Sequence, residues 1–189
     1  MLKVPLTSLL APIVLSGVIV FIASSLVHTV LGYHRADFKT LPSEDEVMAA
    51  LQRIGVPPGD YMMPRPPSRE AMKSPEFMAK FAKGPKMIAT VLKSGPFNMG
   101  PSLIKWFIFC CVVSVFTAYV TGRTHGPGTP YLGIFPIAGC VAFMGYTFGH
   151  WPDHIWYQRS LGTTLRNTFD GLVYGLLTAG VFGWLWPRG

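Results

Sequence analysis

Charged residues are scarce in this chain and unevenly distributed. Asp, Glu, Lys and Arg make up 13% of its 189 residues, whereas soluble domains average about 25%. Most of these charges fall between Tyr33 and Lys93, which leaves long, nearly uncharged stretches on either side. So little charge over so much of the chain argues against a soluble globular protein and favours one that crosses a lipid bilayer several times.

Cysteines and cofactor motifs are equally sparse. The three cysteines, Cys110, Cys111 and Cys140, lie in apolar stretches and form neither a CxxC pair nor the framework of a secreted disulfide protein. Walker loops, dinucleotide fingerprints, HExxH zinc motifs and nucleophile elbows are all missing from the sequence. We therefore expect no cofactor, and the sequence favours a protein without catalytic activity.

Four apolar runs are long enough to cross a membrane as helices. About 20 residues span the hydrocarbon core, and a helix pairs the backbone groups for which lipid offers no partner. The predicted spans are 9–31, 102–121, 131–150 and 165–186, and residues 32–101 form a polar segment. The first run is too long for the apolar part of a signal peptide, so we expect it to remain as a membrane helix. The predicted fold is an all-α membrane protein, a four-transmembrane-helix bundle with a small polar domain between helices 1 and 2.

The distribution of basic residues predicts the orientation of this bundle. With four spans, the polar segment and the 151–166 loop share one side, and that side holds nearly all Lys and Arg. The positive-inside rule places that side in the cytoplasm and both termini outside. The net charge of +7 is explained in this way, and we expect membrane lipids rather than nucleic acid as a partner.

The polar segment carries local signals for short helices. Ser43-Glu44-Asp45-Glu46 matches a capping box. Gly55 is typical of a helix end and Pro57-Pro58 prevent continuation, so the sequence predicts a helix from Glu44 to Ile54. Ser74-Pro75-Glu76 predicts the start of a second helix. For Met87 to Leu92, a short strand and a stretch lying on a surface remain open.

Small residues recur at four-residue spacing in the third and fourth predicted membrane helices. They are Gly145, Gly149, Gly171, Gly175, Ala179 and Gly183. Stripes of small residues let helix backbones approach closely in lipid, where no hydrophobic drive brings helices together. The sequence therefore predicts a helix-packing seam, which is typical of a tight bundle rather than of a wide pore.

Ionisable residues near the predicted membrane boundary form the first candidate site. His28 lies late in the first span, and Arg166 and Asp170 lie early in the fourth, at the same face of a four-span bundle. Ionisable residues inside a membrane often mark a functional site. A proton relay or a headgroup site is one interpretation; the other is a first-turn carboxylate, Asp170, paired with Arg166.

The turn His150-Trp151-Pro152-Asp153-His154 is the second candidate. Two imidazoles and a carboxylate within five residues have the chemistry of a zinc or other divalent-metal site. Pro152 disturbs the helical geometry that would align His150 with His154. A polar turn at the membrane interface, anchored by its aromatic residues, is therefore favoured over a metal site formed by His150, Asp153 and His154.

Two stretches, Tyr33–Val47 and Phe169–Pro187, resemble an uncharacterised group of small bacterial inner-membrane proteins of unknown function. The resemblance implies a multi-pass protein of the bacterial cytoplasmic membrane and implies no activity. The leading hypothesis is a non-catalytic accessory or assembly subunit that binds other membrane proteins or a second copy of itself. The alternative is a carrier or enzyme for a lipid-like or quinone-like molecule that uses the interfacial His and Asp residues.

Overall fold

The computed structural model describes residues 3–96 and 98–188, and most of these residues are helical. In chain order the helices are α1 (Leu10–Leu26), α2 (Glu44–Ile54), α3 (Pro75–Lys83), α4 (Gly100–Thr124), α5 (Tyr131–Thr147), α6 (His150–Tyr157) and α7 (Leu161–Trp184). The strands are β1 (Gly59–Met63) and β2 (Met87–Val91). The chain divides into a helical unit, Met1–Lys39 with Asn98–Gly189, and a second unit, Thr40–Phe97.

The helical unit is built from four long helices packed in a ring. Helix α1 packs on α4 and α7, and α5 packs on the same two helices. At one end, the amides of Lys3 and Val4 both donate to the Gly122 carbonyl at the end of α4, at 2.9 and 3.0 Å. Near the same end, the Gly128 amide donates to the Pro187 carbonyl at 2.8 Å. These backbone bonds fasten the segments before α1 and after α7 to the α4–α5 connection.

Within residues 3–96 and 98–188, three helical segments are long and apolar enough to cross a membrane. They are Leu6–Leu31, Gly100–Thr124 and Tyr131–Tyr157. The fourth predicted span, 165–186, is also helical, since α7 runs from Leu161 to Trp184. It is less apolar than the other three because Arg166, Asn167 and Asp170 occupy its first half.

The α5–α7 interface holds most of the predicted seam. A Cβ added to Gly175 would lie 3.1 Å from the Phe143 Cβ and 3.2 Å from the Gly139 carbonyl oxygen of α5. Gly171 likewise faces Thr147 of α5, and Gly183 faces the Tyr131 ring. The Ala179 side chain faces Gly139. The two remaining residues of the predicted seam have different surroundings.

Those two residues, Gly145 and Gly149, do not belong to the α5–α7 contact. Gly145 faces Val113 of α4, where an added Cβ would lie 3.0 Å from a Val113 methyl group. Gly149 lies between α5 and α6, and a Cβ added there would meet no atom within 4 Å. The small residues of α7 therefore pack against α5. Of the other two predicted seam residues, Gly145 packs against α4 and Gly149 has no close neighbour.

The Thr40–Phe97 unit contains α2, α3 and an antiparallel pair of strands, with Tyr61 of β1 opposite Ala89 of β2. Helix α2 begins at Glu44 and ends at Ile54, so its predicted bounds are confirmed. The predicted capping box is wrong: Ser43 adopts a left-handed conformation with φ of 50° and makes no side-chain cap bond. In α3 the predicted cap is confirmed, because the Ser74 hydroxyl accepts from the Phe77 amide at 3.2 Å.

The boundaries of this unit differ from the predicted polar segment 32–101. Residues 32–39 belong to the helical unit, since the short 3₁₀ turn Tyr33–Asp37 packs against α7. The chain after residue 99 is already helical in α4. The polar segment therefore contributes its first residues to the helical unit.

Candidate functional site

The site forms where the chain leaves α1 and meets the start of α7. After a π turn over Val27–Leu31, Gly32 takes a left-handed conformation with φ of 64°, which glycine adopts at no steric cost. The backbone then turns back through Tyr33–Asp37. This reversal directs side chains of the turn toward Arg166 and Asp170 of α7.

Asp170 is the centre of the resulting network. Its side chain is only 4% exposed, and the Tyr33 hydroxyl donates to its Oδ1. Its Oδ2 lies 2.7 Å from Nε2 of His34. A buried carboxylate requires such partners because the loss of its hydration is otherwise costly.

Asp37 is the second carboxylate of the network. Its Oδ2 lies 2.6 Å from Nδ1 of His34, and its Oδ1 accepts from Nε and Nη2 of Arg166 at 2.8 and 2.5 Å. Burial acts to raise the pKa of Asp37, but the hydrogen bonds from His34, Arg166 and Thr163 outweigh it, so the pKa lies below its ordinary value of 3.8. Asp37 is therefore held as an anion.

His34 joins the two carboxylates through its two ring nitrogens. One ring nitrogen faces Asp37 at 2.6 Å and the other faces Asp170 at 2.7 Å. The Arg166 guanidinium adds a positive charge beside Asp37. The His34 ring therefore links the turn after α1 to α7 through both acids.

Tyr33 completes this environment. Its pKa is raised above 10.0, first by burial and then by the hydrogen bond to Asp170 and the charges of Asp170 and Asp37. The hydroxyl therefore stays protonated and acts as a donor. The arrangement therefore keeps Tyr33 neutral, with its hydroxyl as the donor to Oδ1 of Asp170.

His28 lies at the exposed edge of the network. Its ring stacks on that of His34, with centroids 4.3 Å apart and planes 5° from parallel. Its Nδ1 is 3.0 Å from the Ser24 carbonyl oxygen, so Nδ1 is the donor in this bond and Nε2 takes no part in it. One ligand atom from each of His28, His34 and Asp170 lies within 4.8 Å of the others.

A groove between α1 and α4 begins beside His28. It has a volume of about 280 Å³ and a mainly apolar surface. Its lining residues are Ser24, Ser25, His28, Thr29, Met99, Leu103 and Trp106. The Trp106 ring nitrogen donates to the Ser24 hydroxyl at 2.7 Å, which fixes the indole as one wall.

The predicted candidate residues are brought together only in part. His28 and Asp170 share a cluster, but the hydrogen-bond partners of Asp170 are Tyr33 and His34, and Arg166 pairs with Asp37 instead. The signal for the missed residues is the density of ionisable side chains in Tyr33–Asp37, directly after the first long apolar helix.

The second candidate site takes a different form from the predicted one. Pro152 does not interrupt the helix, because it lies in the first turn of α6, where a missing amide is tolerated. His150 and Asp153 line a polar cavity of about 230 Å³, together with Arg159, Thr163, Thr164 and Asn167. His154 instead contacts the Arg159 carbonyl oxygen through Nδ1 at 2.7 Å.

Among the described residues, one metal-compatible group of histidine, cysteine and acidic side chains is found, His28 with His34 and Asp170. The His150, Asp153 and His154 trio does not form such a group there. Comparisons with family models, curated proteins and solved structures return no match for this chain.

Proposed function

We propose that this chain is a four-span protein of the bacterial cytoplasmic membrane that acts as a non-catalytic accessory or assembly subunit. The exposed surface of α7 supports the fourth span. Leu165, Phe169, Leu172 and Leu176 recur on one face and are 44–60% exposed, while Asp170 and Gly175 are buried. An apolar outer face with polar groups turned inward is the arrangement that a bilayer requires.

The network around His34 supports a structural role for most of its charges. Asp37, Arg166 and Tyr33 are each engaged by another member of the network. Groups paired in this way hold α1 and α7 together at one end of the bundle. The close α5–α7 contact at Gly175 likewise serves helix packing, and an apolar groove of about 260 Å³ lies beside it between the same two helices.

The observation that carries the accessory role is the surface of the Thr40–Phe97 unit. Among its described residues, Pro64 alone is buried. Many of its large apolar side chains are exposed, including Leu51 and Ile54 of α2 at 41% and 70% and Met78 of α3 at 56%. Exposed apolar surface on this scale is typical of a protein-binding surface, and methionine suits such surfaces because its side chain adapts.

Site-specific photo-crosslinking tests this role. A photoreactive amino acid at Leu51 should give one recurrent protein adduct in intact cells, and the same partner should copurify stoichiometrically in mild detergent. The matched control is Gln52, the next residue of α2, which should give little of that adduct. Leu51→Glu should abolish copurification. Adducts with lipid alone, or equal adducts at both positions, would exclude the accessory role at this surface.

The cytoplasmic location of the unit has its own test. Cysteine introduced at Lys73, in a background without the three native cysteines, should resist a membrane-impermeant thiol reagent in intact cells. It should react after the cells are permeabilised. Rapid labelling before permeabilisation would reverse the proposed orientation.

The groove beside His28 favours a second function, the binding of a lipid-like or quinone-like molecule. Its apolar walls suit a chain or ring, and His28 offers one polar contact at the rim. Mass spectrometry of the protein purified in mild detergent should then detect a retained quinone or lipid. Leu103→Trp, which fills the groove, should remove it; retention of the same molecule by this variant would exclude the groove as its site.

A further inference from the structure

We infer that His28, His34 and Asp170 form a binding site for a divalent transition-metal ion. Each supplies one ligand atom, and these atoms lie within 4.8 Å of one another. Two imidazole nitrogens and one carboxylate oxygen are the donor set of zinc sites with an open position and of facial-triad iron sites. The inference concerns ligand binding by the helical unit and is independent of the accessory role.

The surroundings of both histidines match those of metal-bound imidazoles. A ligating histidine usually donates its second ring N–H to a carboxylate or a backbone carbonyl, which orients the ring. Here Nδ1 of His34 faces Asp37 at 2.6 Å, and Nδ1 of His28 faces the Ser24 carbonyl at 3.0 Å. Both Nε2 atoms are therefore the nitrogens available to a metal.

Charge favours a cation at this position. Two carboxylates lie on either side of His34, with side chains 9% and 4% exposed, and Arg166 neutralises one of them. A metal ion bound to Nε2 of His34 would face Asp170, any proton on that nitrogen would leave to solvent, and Nδ1–H of His34 would donate to Asp37.

The required movement is small. Bond lengths of about 2.0–2.1 Å in tetrahedral geometry place donor atoms about 3.3 Å apart. The His34–Asp170 contact of 2.7 Å must open, and His28 must move closer and give up its stacked position. His28 is exposed, so few packed side chains oppose this shift of its ring, and the fourth coordination position remains open to water or a ligand.

Titration with Co²⁺ tests the site, because tetrahedral Co²⁺ absorbs visible light. The full chain, purified in mild detergent and stripped with chelator, should bind one equivalent of Co²⁺, and Zn²⁺ should displace it. His28→Gln should weaken binding at least tenfold, and Asp37→Asn should weaken it about 10–100-fold through the orientation of His34. His150→Gln should bind as wild type does and serves as the matched histidine control.

Three results would overturn the inference. They are no Co²⁺ binding by the wild-type chain, equal affinity in His28→Gln, and loss of binding in His150→Gln instead. The hydrogen bonds of Asp37 and Asp170 come from other residues, so His28→Gln should unfold as wild type does, and this is checked by thermal unfolding. A chain that lacks a protein partner but binds Co²⁺ would refute the accessory role and leave the metal site standing.

Discussion

Two glycines of α7 allow the α5–α7 packing to be tested with a control inside the same helix. Gly175 faces α5, where an added Cβ would lie 3.1 Å from the Phe143 Cβ and 3.2 Å from the Phe143 amide nitrogen. At Gly180 the nearest neighbour of such a Cβ is the Tyr131 hydroxyl oxygen at 3.7 Å, an ordinary contact. Alanine at either position adds the same single methyl group.

The expected magnitudes follow from these distances. Replacing glycine by alanine within a helix favours the helix by about 1 kcal/mol at both positions. Carbon atoms pack best at about 3.5–4.0 Å, so Gly175→Ala forces the two backbones apart by a few tenths of an ångström. Overpacking of this kind costs about 1–3 kcal/mol. Gly175→Ala should therefore be about 1–3 kcal/mol less stable than Gly180→Ala.

The assay is an equilibrium unfolding titration in mixed detergent micelles, followed by circular dichroism. Gly180→Ala should equal or exceed the stability of wild type, and Gly175→Leu should be less stable than Gly175→Ala. Equal stability of the two alanine variants would contradict a close contact at Gly175. The α7 stripe would then face lipid rather than α5.

Three further predictions concern the charge network. Asp37 has a lowered pKa in the folded protein. Its contribution to stability is therefore present above pH 3.8, its ordinary pKa, and is lost as the pH falls below that value. Asp37→Asn should lack this acid-dependent loss in unfolding titrations. Arg166→Gln should cost about 1.5–3 kcal/mol and move the acid loss to higher pH, and an unchanged acid profile would contradict the pairing with Asp37. Tyr33 has a raised pKa, so its contribution is present below pH 10.0 and is lost as the pH rises above it; wild type should lose stability more steeply than Tyr33→Phe in that range, and parallel curves would exclude the hydrogen bond to Asp170.

The short helices of the polar segment could be predicted from the sequence because their signals are local. A run of acidic residues, a regular apolar spacing and a glycine before two prolines determine where α2 begins and ends, whatever surrounds it. The same signals did not determine the hydrogen bonds at its start, since Ser43 is left-handed. Residue preferences specify the element more reliably than the conformation of a single capping residue.

The long helices were also evident from the sequence, because a run of about 20 apolar residues has few alternatives to a helix. Helix α7, the fourth long helix, shows where composition is insufficient. Its first half carries Arg166 and Asp170, so its composition does not decide whether it is a membrane span. The packed structure is needed to show that Asp170 is turned into the bundle while Phe169 and Leu172 face outward.

Residue patterns were enough to predict that ionisable side chains gather near one end of the bundle, with His28 and Asp170 among them. Which of these side chains meet became clear from the packing of the helices. The partners of Asp170, Tyr33 and His34, are more than 130 positions away in the chain, and the chain reverses at Gly32 to reach α7. Such contacts depend on the angle of one turn and the rotation of one helix about its axis. A local pattern of residues predicts neither the turn angle nor the helix rotation, because both depend on how complete helices pack against each other.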